Sequence, residues 1–418
     1  MREMRTAWAA RPLRERLRIV RALRHGIAAH GARLARAAGG GVDRPVSEIL
    51  SAEIVPLADA CRFLEREAPR LLAPRRLGSA GRPAWLFGVE SEVRREPLGR
   101  VLVIAPRNYP VLLPGVQTVQ ALAAGNAVLW KPGRGGSAAA RVFSAIAAAA
   151  GVPNGVLTIL SEEPEAAREA IASGVDKVLL TGSAETGREV LGELSGRLIP
   201  ATMELSGDDP LFVLPGADLD RVARAVRFGQ TLNGGATCIA PRRILILDVL
   251  GDQLSALQER LGLGIPVTAF STVDEALAEA ARSPYALGAS VFGPETEAVA
   301  LAARIRAGVV VVNDVIVPTA DPRLPFGGRG ESGFGVTRGA EGLLELTVPK
   351  VIAVRRARRL FHLEAPDPQD GDLFLSYLTL AHAGGFGARL RGAVALLRAL
   401  ARRGRGARPA VQPTRRRT

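Results

Sequence analysis

The chain is poor in the side chains that most often carry catalysis. It has two cysteines, Cys61 and Cys238, too few and too far apart for a disulfide framework or a metal knuckle. Its four histidines, His25, His30, His362 and His382, lie near the two ends, so the middle of the chain contains no imidazole. That argues against serine–histidine catalysis and against histidine-ligated metals there, and no metal is expected. No run approaches the roughly 18 uninterrupted apolar residues that a membrane-spanning helix needs. The opening MREMRTAWAARPLRERLR is too charged for a signal peptide, so the reading is a cytoplasmic protein. Lysine is scarce too: only Lys131, Lys177 and Lys350 occur, which draws attention to each.

What the chain does have is a core. At 418 residues and 47% hydrophobic content it exceeds what one core usually organises, and its 23% charge is ordinary for a globular protein. The net charge of +14 is concentrated: residues 385–418 hold ten arginines and no acid, and without them the charge falls to +4. The body is thus nearly balanced, and no specific nucleic acid is expected, because the tail offers one aromatic residue for stacking.

Residues 3–37 place apolar side chains at helical spacing between arginines, and 46–72 read as a second helical stretch. After a Gly/Pro-rich break at 78–83, short apolar runs ending in turn residues appear at 101–106, 127–132, 156–160 and 177–182, with helix-like segments at 113–124, 137–150 and 163–173 between them. A second such block follows Pro210, with strands expected at 242–249, 266–270, 289–293 and 308–313. Helices are expected there at 218–230, 252–261, 273–282 and 295–306. Strands alternating with helices predict an α/β fold of doubly wound sheets that bind ligands at the carboxyl ends of their strands. Residues 385–403 set Phe386, Leu390, Val394, Leu397 and Leu400 against Arg391, Arg398 and Arg402, an amphipathic helix, and the last fifteen residues read as disordered.

Cys238 stands in NGGATCIAPRR, where Gly234 and Gly235 leave backbone room for a ligand and the helical pattern breaks, as an accessible thiol at a turn requires. Cys61, in LADACRFLE, falls on an apolar helix face and reads as core. A thiol attacking a carbonyl creates an oxyanion, which an uncharged, oriented donor must hold; Asn108 in IAPRNYPV follows a strand between two prolines that stiffen its turn. A base must then activate water, and Glu204 in ATMELSGDDP ends an apolar stretch. Each segment alone also has an ordinary reading, as a buried thiol, an Asn turn and a solvated loop acid.

Together these segments resemble the aldehyde dehydrogenase superfamily from about residue 10 to 350. The matching pieces are PLGRVLVIAPRNYP at 97–110, LAAGNAVLWKP at 122–132, LTGSAETG at 180–187, MELSGDDP at 203–210, NGGATCIAPRR at 233–243 and LPFGGRGESGFG at 324–335, in the family's order. The resemblance implies two Rossmann-type domains, a cofactor-binding one over 1–207 and a shortened catalytic one over 208–350, with a C-terminal extension over 351–418. It implies NAD(P)-dependent oxidation of an aldehyde through a Cys238 thiohemiacetal and thioester, with Asn108 holding the oxyanion and Glu204 activating water. It places Lys131 at the adenine ribose and the Gly182–Gly187 turn, with Ser183, at the pyrophosphate. Arg134, where NAD-preferring relatives often carry an acid, could pair with a 2′-phosphate, so NADP is expected to be accepted beside NAD. The one literal G-x-G-x-x-G, Gly328 to Gly333, follows no strand directly and reads as a decoy.

The chain also departs from the family. Ser206, Gly207 and Asp208 replace a Gly-Gly-Lys segment, Ala236 replaces a glutamine, several dozen residues are missing after Cys238, and Gly262 stands near the usual nicotinamide-ribose glutamate. A coenzyme A-linked acylating reductase and a degenerate nucleotide-binding protein are the alternatives. Glu204 counts against the former, since such relatives usually lack that acid. The basic C-terminal helix could lie on an anionic membrane surface, cover the body, or serve self-association.

Overall fold

Alternating apolar residues in short runs fix two sheets, because successive side chains in a strand face opposite layers. The computed structural model describes residues 2–39, 44–247, 252–261, 264–356, 360–363 and 367–406. Residues Met1–Leu77 and Ser91–Ile352 form one compact unit; Gly78–Glu90 and Ala353–Thr418 form a second.

In the first unit the stretch 3–37, where one or two helices were expected, forms three, Arg2–Ala10, Leu13–Ala29 and Gly31–Gly39. The second helical stretch ends in α1, Val55–Leu71, after one π-helical turn at Leu50–Ile54. The first sheet contains β1 (Arg100–Ile104), β2 (Ala127–Lys131), β3 (Leu157–Ile159), β4 (Lys177–Thr181) and β5 (Ala201–Glu204). The second contains β6 (Asp209–Val213), β7 (Pro241–Leu247), β8 (Val267–Phe270), β9 (Gly288–Phe292) and β10 (Val309–Val312). A two-residue strand, β11 (Gly333–Phe334), returns to the first sheet beside β5, although its sequence position lies within the second block.

The first sheet has the order β11-β5-β4-β1-β2-β3, parallel except for β11, and the second β8-β7-β6-β9-β10, parallel throughout. This is the doubly wound α/β architecture the alternation called for. Val101 and Val103 of β1 face one hydrophobic layer, Leu102 and Ile104 the other. In β6, Leu211 and Val213 oppose Phe212 in the same way. Strand β6 itself was not legible, because it opens on Asp209 and Pro210; the proline is accommodated at a register shift between these two residues.

Two helices position the site. Helix α2 (Leu112–Ala124) is buried along its whole length and ends at Gly125, whose φ of 99° only glycine adopts readily. Buried Asn126 then accepts from Gly99 N–H at 2.9 Å and donates to Leu346 O at 2.8 Å, fixing the start of β2. Helix α3 (Ala184–Ser195) starts where Ser183 Oγ accepts from Thr186 N–H at 3.1 Å. Helix α4 (Leu219–Thr231) leads into the loop that carries Cys238.

The second unit contains a helical hairpin, α5 (Asp370–His382) and α6 (Phe386–Gly406). Helix α5 was not anticipated. Helix α6 runs to Gly406, so 404–406 are helical where disorder was expected; 407–418 lie outside the described residues, as does Gly262. No helix among the described residues is long and apolar enough to cross a membrane.

Candidate active site

The Cys238 loop turns sharply because Asn233, Gly234 and Gly235 take positive φ values of 56°, 59° and 76°. The strain at Asn233, a non-glycine residue in this region, is held by three contacts. Its Nδ2 donates to Asn108 O at 2.7 Å, its N–H donates to Glu48 Oε1 at 3.0 Å, and its side chain is buried. In return, Asn108 Nδ2 donates to Ala236 O at 2.6 Å, two residues before the thiol. Tyr109 Oη and Thr237 Oγ1, both buried, share a further bond of 2.7 Å. The turn after β1 and the loop after α4 are thus laced together, and the Asn108 amide is held against Ala236 of the loop that carries Cys238.

A buried ion pair supports this turn. Arg44 Nη1 donates to Glu53 Oε1 at 2.7 Å and to Asn108 O at 3.3 Å, and its guanidinium lies 5.3 Å from the Tyr109 ring centre. The second oxygen of Glu53 accepts from Val111 and Leu112 N–H at 2.9 and 3.1 Å, capping α2. Burial pushes the Glu53 carboxyl above its ordinary value, against these N–H groups and Arg44, which favour its charge.

Cys238 is half-buried beside Ile239, Leu287 and Phe326. Burial raises its thiol pKa, and the nearby Glu204 and Asp209 raise it further while Arg338 opposes them. Glu204 ends β5, fully enclosed, with its own pKa raised by burial and held back by Arg338 and Thr337. Its Oε2 meets Thr337 Oγ1 at 3.4 Å, and its Oε1 has no hydrogen-bond partner among the described residues. A buried carboxyl oxygen left unpaired is expensive as structure and suits a group that must take up a proton.

The three predicted catalytic residues therefore meet around one loop. Cys61, by contrast, is fully buried among apolar residues of α1, as the helical spacing implied.

Sequence reasoning missed two neighbours. Asp209 Oδ1 accepts from Gly288 N–H at 2.6 Å, its other oxygen has no hydrogen-bond partner among the described residues, and burial lifts its pKa to about 8. Arg338 donates to Thr319 O at 2.8 Å and lies 4.7 Å from the Phe326 ring centre. The MELSGDDP match did contain Asp209, but two adjacent acids before a proline look like a solvated turn. No local pattern marks Arg338.

At the carboxyl ends of β1, β2 and β4 a cleft of about 520 Å³ opens, lined by Pro106, Lys131, Arg134, Gly182, Thr186 and neighbours. Lys131 is half-buried, and desolvation lowers its pKa against three nearby glutamates. Arg134 is exposed at the cleft. Gly133 packs so tightly on the Pro106 carbonyl that a side chain there would collide with it. Ser183 caps α3, whereas Gly187 faces the Leu205 side chain and serves close packing of α3, away from the cleft lining. The segment Gly328–Gly333 contributes the two-residue strands Arg329–Gly330 and β11, with no helix opening there, so the glycine fingerprint is indeed a decoy. A cleft at the sheet's carboxyl edge with Lys131, the arginines Arg107, Arg134 and Arg168 against Glu189 and Glu193, and a capped helix N-terminus fits a nucleotide with anionic groups. Among the described residues no group of three potential metal ligands occurs.

Comparison with known proteins agrees with this geometry. The sequence model of the aldehyde dehydrogenase family matches residues 1–262 and 254–352, two stretches that meet where residues were expected to be missing. A 4,4′-diapolycopene aldehyde oxidase of Methylomonas is 27% identical over 423 aligned positions, covering 84% of this chain and 79% of that protein. A putative NADP-dependent succinate-semialdehyde dehydrogenase of Mycolicibacterium smegmatis is 26% identical, covering 89% and 86%. Among solved structures, a putative aldehyde dehydrogenase from Burkholderia cenocepacia superposes with a TM-score of 0.75 at 27% identity over 84% of this chain and 89% of its own. The NADP complex of an NADP-dependent glyceraldehyde-3-phosphate dehydrogenase from Bacillus halodurans shares the fold, with a TM-score of 0.77 at 24% identity over 85% and 90%. With the family model covering most of its length and the fold matched over 84% of it, the chain belongs to the aldehyde dehydrogenase family.

Proposed function

We propose that the protein oxidises an aldehyde to a carboxylic acid with NAD or NADP, using Cys238 as nucleophile. The observation that carries this reading is the convergence of Cys238, the Asn108 amide and the unpaired Glu204 carboxyl around one loop.

Because its pKa is raised, the resting thiol is protonated, so attack requires a proton acceptor. Glu204 takes the proton as the C–S bond forms, and the Asn108 N–H with the Cys238 backbone N–H receives the oxyanion. A bound nicotinamide would supply the hydride acceptor that turns the Cys238 thiohemiacetal into a thioester. Glu204, its first proton passed to solvent, removes a proton from the attacking water. The C–O bond forms, the C–S bond breaks, and Glu204 returns its proton to the sulfur. Asn108 keeps one amide N–H on Ala236 O, which leaves its second N–H to receive the oxyanion.

For the cofactor, Lys131 would hold the adenine ribose, the Gly182–Ser183 turn the pyrophosphate, and Arg134 a 2′-phosphate, which makes NADP acceptable. Replacing Arg134 with glutamate should shift preference toward NAD about tenfold or more; an unchanged preference removes Arg134 from this role. The main test is absorbance at 340 nm over a series of aldehydes of increasing chain length, with each cofactor, beside Cys238→Ala. Nucleotide-dependent thermal stabilisation with no absorbance change would instead identify a binding protein. Acyl transfer to coenzyme A in preference to hydrolysis would identify an acylating enzyme.

A further inference from the structure

The hairpin of the second unit is built with its small residues inside and its large apolar residues outside. Helix α6 meets α5 through Gly392, where any Cβ would collide with the α5 backbone at Thr379 and Leu380. Ser376, Gly392 and Ala399 are its buried positions. The large side chains point to solvent: Phe374, Leu375 and Leu378 on α5, and Phe386, Leu390 and Leu397 on α6, are between 55% and 83% exposed. Among the described residues, this unit holds half of all the exposed large apolar side chains in about a fifth of the chain. In water this arrangement is backward, since close packing through small residues with large residues outward suits helices in an apolar surrounding.

The charges are arranged to match. On α6, Phe386, Leu390, Val394 and Leu397 follow a spacing of four, four and three and share one face; Arg391, Arg398 and Arg402 follow seven and four and share the next. All three arginines are exposed and make no ion pair among the described residues. Arg389 is used differently, its Nε donating to Ala383 O at 2.9 Å to close the end of α5. The acids of the hairpin stand at the start of α5, Asp370 and Asp372, and none occurs from residue 385 onward. The aldehyde dehydrogenase family model matches as far as residue 352, so the hairpin lies beyond the matched residues.

From this we infer that the α5–α6 hairpin lies in the headgroup region of an anionic lipid bilayer, its apolar face in the acyl boundary and its arginines on lipid phosphates. A second copy of the same face is disfavoured by its own charge: Arg391, Arg398 and Arg402 would meet the same three arginines of the other copy. A bilayer rich in anionic lipid supplies both the apolar layer and the opposite charge. Neither helix crosses the bilayer; the contact is interfacial.

The test is co-sedimentation of the full chain with vesicles of phosphatidylcholine alone and of phosphatidylcholine with phosphatidylglycerol. The wild type should pellet with the mixed vesicles and not with the neutral ones. Leu390→Glu with Leu397→Glu should weaken partitioning at least tenfold. Arg391→Gln with Arg398→Gln should weaken it roughly fivefold per arginine at low salt, with a flatter salt dependence. Circular dichroism would confirm that each variant is folded, and aldehyde oxidation in solution should be unchanged. Wild type remaining in the supernatant with both lipids would overturn the inference, as would leucine variants that pellet like wild type. So would leucine variants that convert an oligomer to a monomer in lipid-free sedimentation velocity, which would make the face a self-interface.

Discussion

The two cysteines are both buried enough to hold their protons, yet they live in opposite chemical settings. Burial pushes the Cys61 thiol up to about 12, and it pushes Cys238 up as well. Acidity in the resting protein therefore does not separate them. What separates them is company: Cys61 packs against Leu57 and Leu64 inside a helix, whereas Cys238 sits in a strained turn with an amide, an unpaired carboxyl and an arginine nearby. In the proposed mechanism a thiol becomes a nucleophile through the groups able to take its proton and hold the charge it creates.

The sharpest way to break this contrast is to remove each sulfur. Cys238→Ala should reduce aldehyde oxidation by about 10⁴-fold or more while leaving the fold intact by thermal melting. Glu204→Gln should slow steady-state turnover about 10³-fold and slow the burst of reduced cofactor with it, because this carboxylate takes the thiol proton before it activates water. The wild-type rate should rise with pH through the raised Glu204 pKa, since water activation needs the carboxylate, and the glutamine variant should lose that limb.

Smaller effects follow outward from the thiol. Asn108→Ala should lower kcat about 10²-fold, read beside KM, since its amide is asked to act on the oxyanion more than on the bound aldehyde. Asp209 keeps its proton to about pH 8 in the folded chain but releases it near its ordinary 3.8 once unfolded, so stability falls as pH rises between those values. Asp209→Asn should flatten that slope in urea unfolding. Cys61→Ala should cost about 1–2 kcal/mol of stability and leave the kinetics of the folded enzyme unchanged, the smallest effect on activity of the series. If Cys61→Ala lowered activity as far as Cys238→Ala, the contrast would collapse.

The α/β alternation, most strands and Cys238, Asn108 and Glu204 were legible because each carries a local signature: an apolar run, a turn glycine, a proline-stiffened corner. The lacing of Asn233 to Asn108 and of Tyr109 to Thr237 was not, since each bond joins residues at least 125 positions apart. Gly187 shows the reverse limit, because a glycine at a phosphate-binding position and a glycine against Leu205 look the same in one sequence. Strand β6 was hidden by the acids and proline that open it, and β11 by its two-residue length. Helix α5 escaped because its apolar residues occur on every side and suggest no buried face.

The exchange of bonds between the Asn108 turn and the Asn233–Thr237 loop also bears on how the surroundings of the site can vary. The turn and the loop are tied to each other directly, through bonds that involve no residue beyond Thr237. Side chains around the pair can change while these bonds keep the two segments in one arrangement.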